Sequence, residues 1–393
     1  MRFSRQSYLR PTFPYYSHSL IELNMPLKPL RVLVIDDTVL YRKIISETLA
    51  AFPEVEVVGT AANGEIALAK LAELAPDLLT LDVEMPVMDG LATLRRLRAM
   101  GTGVLVVMVS AHTRQGAAVT MEALQLGAYD FITKPEGDDP KKSRELLVSK
   151  FRPIINAVMA QKILRQTINS MAADAPPVSP GRDMAPCPPQ PSSILPRAEP
   201  LGRIEIIAIG ISTGGPNALA ELLPHLPANL RVPIVIVQHM PKVFTGALAE
   251  SLDVKCAIRV VEGQTGQFLE PATAYIAPGG RQMRVVAAQG RAGWYLEIND
   301  DPPENHCQPS ADYLFRSIAA TFKGQALGVI MTGMGSDGTL GLRLMKRHGA
   351  QVIAQDQATC VVYGMPQEAV KAGVVDVVLP LPEIGAEIMR RVR

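Results

Sequence analysis

The chain has 393 residues, of which 48% are hydrophobic and 20% charged, enough for two domains, or three, that each bury a real core. With a formal net charge of +1, nothing argues for nucleic acid or an anionic membrane surface as partner. Four scattered cysteines (Cys187, Cys256, Cys307 and Cys360) form neither a metal motif nor a disulfide framework, which suits a reducing cytosol. No apolar run approaches the roughly 20 residues of a membrane span.

Residues 1–29 are rich in Tyr, Ser, Arg and Pro and lack the apolar stretch of a signal peptide, so they read as a disordered leader. Met25, just before the first strand pattern, is a candidate start of the natural protein. Residues 30–170 then alternate strand and helix. Apolar strands are expected at Leu30–Ile35, 56–60, 78–81, 104–109 and 129–132, with helical spacing at 39–52, Gly64–Leu74, 91–99, 116–126 and 145–168. Five βα units with short loops predict a parallel sheet covered on both faces.

The polar residues of this region stand at strand ends. Asp36 and Asp37 end the first strand, Asp82 the third, Ser110 the fourth and Lys134 the fifth. All belong to the sheet edge where open α/β sheets bind ligands. Clustered carboxylates repel and call for a hard cation, and oxygen donors suit Mg²⁺. Lys134 and the Ser110 hydroxyl can then hold an oxyanion such as a phosphoryl group.

A Pro-, Ala- and Ser-rich stretch at 171–202 contains Cys187 and reads as a flexible linker. A second α/β region, 203–393, opens on Ile-Gly-Ile-Ser-Thr-Gly-Gly-Pro216. This is a buried strand feeding a helix through a glycine turn, with Pro216 in the first helical turn. The turn lacks the Lys of a P-loop and the third Gly of a dinucleotide fingerprint, which favours Ser212 as a nucleophile over a phosphate cradle. Further strands are expected at 232–237, 258–260, 273–277, 326–331, Gln351–Gln355 and 374–379, with a hairpin across 283–298 turning near Gly290. Helices are expected at 217–223, 244–252, 310–322 (capped by Ser310 or Pro309), up to His348, at 366–371 and at 382–392. His239 and Asp337 follow two of the strands. With Ser212 they supply a nucleophile, a base and an orienting carboxylate. His306 remains a second candidate base and Asp356 a second carboxylate. The glycines around Asp337 favour it, because backbone N–H groups there can form an oxyanion hole.

Two resemblances cover nearly all of the chain after Met25. Asp36-Asp37, Leu81-Asp82-Val-Glu-Met-Pro-Val-Met-Asp-Gly90, Ser110-Ala111 and Lys134-Pro135 resemble the receiver domain of two-component response regulators. That resemblance implies a flavodoxin-like (βα)5 fold and phosphorylation of Asp82 by a histidine kinase. It also implies Mg²⁺ among Asp36, Asp37, Asp82 and Glu84, and a switch set of Ser110, Lys134 and Tyr129. Gly210-Ile-Ser-Thr-Gly-Gly-Pro216, Val237-Gln-His-Met-Pro241, Ala277-Pro-Gly-Gly280 and Met331-Thr-Gly-Met-Gly-Ser-Asp-Gly338 resemble the catalytic domain of the chemotaxis receptor methylesterases, the CheB family. This implies a doubly wound α/β domain with a mostly parallel sheet and no cofactor for hydrolysis. It further implies Ser212, His239 and Asp337 as the reacting set, with the Met334 N–H in the oxyanion hole and Thr213 in support. The implied reaction is hydrolysis of glutamate methyl esters on cytoplasmic chemoreceptor helices, with deamidation of receptor glutamines. The unphosphorylated receiver is expected to cover the cleft. A receiver-regulated scaffold without catalysis, or a hydrolase for a small ester, are the alternatives.

Overall fold

A computed structural model describes residues 28–135, 139–173, 202–288, 290 and 292–392. Met25 with the leader up to residue 27, and 174–201 with Cys187, lie outside the described residues.

The first sheet is built from β1 (Leu30–Ile35), β2 (Val55–Ala61), β3 (Leu78–Asp82), β4 (Leu105–Ser110) and β5 (Asp130–Thr133). Their intervening helices are α1 (Val39–Leu49), α2 (Gly64–Leu74), α3 (Gly90–Ala99) and α4 (Arg114–Gln125), and α5 (Pro140–Ala173) follows β5. All strands pair in parallel in the order β2-β1-β3-β4-β5. The chain direction across the sheet therefore reverses between β1 and β3, and Asp36 and Asp82 stand at that switch point. β3 is buried along its whole length, as a near-continuous apolar run in a parallel sheet demands. Helix α5 starts five residues before the apolar spacing of 145–168 begins. Asp139 explains this: its Oδ1 accepts the Lys141 N–H at 3.0 Å, a capping contact ahead of the periodic residues.

The second sheet holds β6 (Ile206–Ile211), β7 (Ile234–Gln238), β8 (Arg259–Glu262), β9 (Thr273–Ile276), β12 (Ala326–Ile330), β13 (Gln351–Gln355) and β14 (Val377–Leu379). They are parallel in the order β14-β13-β12-β6-β7-β9-β8. Helices α6 (Gly215–Leu222), α7 (Lys242–Asp253), α8 (Ala311–Phe322), α9 (Thr339–Arg347), α10 (Met365–Lys371) and α11 (Leu381–Arg391) pack on it. β10 (Gln282–Ala287) and β11 (Trp294–Asn299) form the antiparallel hairpin as a separate sheet. β14 begins three residues later than the pattern at 374–379 suggests. Asp376 is engaged first: its carboxylate accepts the Val352 N–H at 2.7 Å and pairs with Lys346.

The two sheets are joined by packing. Helix α4 lies against α6 and α7. One buried apolar cluster runs from Leu81 through Met121 and Leu124 to Phe244 and Leu248. The Phe131 ring of β5 stacks on Phe244 with centroids 4.7 Å apart, and Asn217 Nδ2 donates to the Ala128 carbonyl at 3.0 Å. Gln125 and Ser251 also share a hydrogen bond. Phe244 is fully buried, which is worth about 2 kcal/mol relative to exposure.

Candidate active site

The switch point of the second sheet lies where β6 sits between β12 and β7. β6 delivers Ser212, β7 delivers His239, and the loop after β12 delivers Asp337. The backbone fixes this edge: Ser212 N–H donates to the Thr332 carbonyl at 2.9 Å and His239 N–H to the Ile211 carbonyl at 3.1 Å. Gly214 takes a left-handed φ of 75° that lets the chain turn from β6 into α6. Gly333 has a different reason to be glycine. A Cβ there would stand 2.7 Å from Ser212 Cβ and 3.1 Å from Ser212 N, so any larger residue would push the 333–334 backbone off the serine.

His239 Nε2 and Asp337 Oδ2 are 2.7 Å apart. Asp337 is 2% exposed, and its carboxylate is held by the start of α8. Oδ1 accepts from Ser310 Oγ at 2.7 Å and the Asp312 N–H at 3.1 Å, and Oδ2 from the Ala311 N–H at 2.6 Å. A carboxylate at a helix N-terminus meets free N–H groups and the positive end of the dipole. Burial by itself raises the Asp337 carboxyl, but the bonds from His239, Ser310 and Ala311 outweigh it and bring it down to about 2. Burial likewise lowers the His239 imidazolium, and the Asp337 contact, with a contribution from Cys307, lifts it to about 9.

With Nε2–H on Asp337, Nδ1 is the nitrogen left to accept a proton. Ser212 and His239 line the same cleft of roughly 220 Å³. Among the described residues the Ser212 hydroxyl makes no hydrogen bond to His239, and Cys307 Sγ lies 3.8 Å from Nδ1. The other predicted groups gather at the same edge. The Thr213 carbonyl accepts from Thr332 Oγ1 at 2.9 Å, so Thr213 contributes its backbone, and the residue lines the cleft. Met334 lies one residue past Gly333, with its side chain 48% exposed. Among the described residues His306 makes no hydrogen bond to Ser212, His239 or Asp337, although its neighbours Asn305 and Cys307 contact Asp337 and His239. Among the described residues Asp356 has no bond to the imidazole, and its Oδ1 caps a turn through Thr359.

The first sheet gathers a second set. Lys134 Nζ lies 2.8 Å from both Asp36 Oδ2 and Asp82 Oδ2, and 4.7 Å from the Tyr41 ring centroid. One oxygen from each of Asp36, Asp37 and Asp82 lies within 4.8 Å of the others. Burial raises the Asp82 carboxyl to about 6 against the pull of Lys134. Asp37, Asp82, Glu84, Ser110 and Lys134 wall one cavity of roughly 260 Å³. Oxygen donors around a half-buried pocket fit a hard cation such as Mg²⁺. The Tyr129 hydroxyl is buried without a hydrogen-bond partner among the described residues, and burial pushes its pKa up.

The CheB methylesterase family model matches residues 207–388, and the response regulator receiver domain model matches 32–144. The protein-glutamate methylesterase/protein-glutamine glutaminase of Desulfotalea psychrophila is 46% identical over 370 residues, 93% of this chain and 100% of that protein. The chain belongs to the CheB methylesterase family. The Bacillus subtilis protein of the same name is 41% identical over 91% of this chain and 97% of its own length. The solved CheB methylesterase catalytic domain of Thermotoga maritima is 38% identical and covers 48% of this chain and 98% of its own, with a TM-score of 0.46.

Several residues of this CheB-family site escaped the reading of the sequence. Gln238, 2% exposed, donates from Nε2 to the Ser212 carbonyl at 2.9 Å and the His239 carbonyl at 3.2 Å. It ties the two strand ends together, and its place beside His239 was the available signal. Ser310 was read only as a helix cap, yet its hydroxyl serves Asp337 and the Tyr313 N–H. Asn305 Nδ2 bridges Asp312 at 2.9 Å and Asp337 at 3.3 Å. The bonds from Gln238 to Ser212, Ser310 to Asp337 and Asn305 to Asp337 join residues 26, 27 and 32 positions apart, and no local pattern marks them.

Proposed function

We propose that this chain is a phosphorylation-activated protein-glutamate methylesterase working through Ser212, His239 and Asp337. The observation that carries this reading is the 2.7 Å His239–Asp337 contact in the cleft that Ser212 lines. Ser212 Oγ attacks the ester carbonyl, and His239 Nδ1 takes its proton. Asp337 keeps the other ring proton on Nε2 and stabilises the imidazolium. The tetrahedral oxyanion is received by the backbone N–H of Met334, whose neighbour Gly333 carries no side chain and packs against Ser212. His239 returns the proton to the departing methanol, and water then repeats the sequence on the acyl-enzyme. A glutamine side chain follows the same course, with ammonia leaving. The names of the relatives support protein glutamate esters and glutamines as the substrate class; methylated chemoreceptors are the bearers that the family resemblance implies.

In the first domain Asp82 is the phosphoryl acceptor, a histidine kinase the donor, and Asp36, Asp37 and Glu84 stand with it around the cation site. Mg²⁺, when bound there, neutralises the carboxylates and the incoming phosphoryl oxygens. Lys134 and Ser110 receive the phosphoryl group, and Tyr129 belongs to the same switch. The link to the second domain is short. Lys134 follows β5, whose Phe131 stacks on Phe244. Asp130, Phe131, Thr133, Lys150 and Pro153 wall the cleft opposite Ser212 and His239. The docked receiver therefore restricts the cleft, and phosphorylation shifts the population towards an open state. The test is methanol release from methylated receptor membranes with and without a phosphodonor and Mg²⁺. Release that rises with phosphorylation and disappears in Ser212→Ala supports the reading, and release unaffected by that substitution overturns it.

A further inference from the structure

Cys307 is the one described cysteine facing the reacting groups. It lies on the loop between β11 and α8, half-exposed, with Sγ 3.8 Å from His239 Nδ1. One donor atom from each of His239, Cys307 and Asp337 lies within 4.8 Å of the others. The mechanism above gives Cys307 no task.

Three observations together suggest a soft divalent cation. First, the tautomer is set: Nε2 faces Asp337 at 2.7 Å, so the Nδ1 lone pair is directed away from Asp337, on the side of Cys307. Metal-binding histidines commonly make this arrangement, with the second ring N–H held by a carboxylate that fixes orientation and raises basicity. Second, the 3.8 Å Nδ1–Sγ separation, within reach of a sulfur hydrogen bond, is also close to that of a ligand pair. Zn–N and Zn–S bonds at a tetrahedral angle set the two donors about 3.6 Å apart. Third, Asp337 keeps its bonds from Ser310, Ala311 and Asp312, so it can remain an outer partner without rearrangement.

We propose that His239 Nδ1 and Cys307 Sγ form an inhibitory site for Zn²⁺, with Asp337 as the outer partner of the imidazole and water completing the coordination. Binding places one bond on Nδ1 and one on Sγ. The thiol proton and one imidazolium proton go to solvent, so binding tightens as pH rises. Nδ1 is the atom that takes the Ser212 proton, and a cation there removes the base. The inhibitory consequence rests on the hydrolase reading above; the binding itself does not.

The test uses the full chain in excess Mg²⁺, which occupies the receiver carboxylates. Co²⁺ serves as the spectroscopic probe, and Zn²⁺ as competitor and inhibitor. Cys187, Cys256 and Cys360 are thiols too, so the Cys307→Ser variant is what assigns a thiolate–cobalt charge-transfer band to this site. A band from one cobalt per chain is expected, displaced by Zn²⁺ and absent in both Cys307→Ser and His239→Gln. Two variants guard against a folding defect in either. Zn²⁺ should then depress methanol release at least tenfold more in the wild type than in Cys307→Ser. No band, or a band that survives both substitutions, overturns the site. A band that behaves as expected without inhibition retains the metal site and overturns its inhibitory role. Loss of all esterase activity before any metal is added counts against the hydrolase reading instead.

Discussion

The two parallel sheets of this chain use the same edge for opposite electrostatic tasks. At the first, the buried carboxylates Asp36 and Asp82 are brought within 2.8 Å of one lysine, and burial leaves Asp82 with a raised pKa of about 6. At the second, one buried carboxylate is surrounded by donors, and Asp337 falls to about 2. A carboxylate sharing a cation with another carboxylate stays poised for a further charge. A carboxylate saturated by a helix start and an imidazole is locked as an anion and orients its neighbour. The lesson is that donor count, more than burial, separates a switch from a fixed support.

The comparison is broken most severely at Asp337. Asp337→Asn leaves the shape but takes the ring proton's acceptor, and kcat for methanol release should fall about 10⁴-fold while phosphorylation of Asp82 is unchanged. The pH profile sharpens the same point. The proposed mechanism needs neutral His239, whose pKa is raised to about 9. The kcat/KM of the free enzyme should therefore climb roughly tenfold per unit up to about pH 9 and level off above it. In Asp337→Asn the break should move down towards the ordinary histidine value. At the other edge, Lys134→Ala should abolish stimulation by a phosphodonor and leave the basal release within about threefold of wild type, since it lies outside the second domain's cleft. Phe131→Ala loosens the joint between the two edges. Unphosphorylated release should rise about 2- to 10-fold, the value of an aromatic pair, with the phosphorylated rate little changed. Ser310→Ala, the smallest change, should cost about 1–2 kcal/mol in urea unfolding as the α8 cap and one Asp337 bond are lost.

The two edges also differ in how far the sequence disclosed them. Asp36, Asp82 and Lys134 directly follow or end apolar strands, so placing the strands placed the charges. Ser212 and His239 were legible for the same reason, each one residue beyond a buried strand. Asp337 lies seven residues past β12, and its glycine surroundings rather than strand position identified it. Its donors Ser310 and Asn305 come from the segment before α8, and that pairing exists only once α8 packs beside β6 and β12. Cys307 was read as an isolated thiol because its partner, His239, stands 68 residues away. Hydrophobic period finds strands and helices; it carries no information about which loop crosses which.

The central claim is that Ser212 is the nucleophile and that the docked receiver controls access to it. The most direct measurement is labelling of the full chain by a fluorophosphonate, with the modified peptide identified by mass spectrometry, before and after a phosphodonor with Mg²⁺. The account predicts one adduct, on Ser212, formed faster after phosphorylation of Asp82 and absent in Ser212→Ala. An adduct elsewhere, or a Ser212 labelling rate indifferent to phosphorylation, would contradict it.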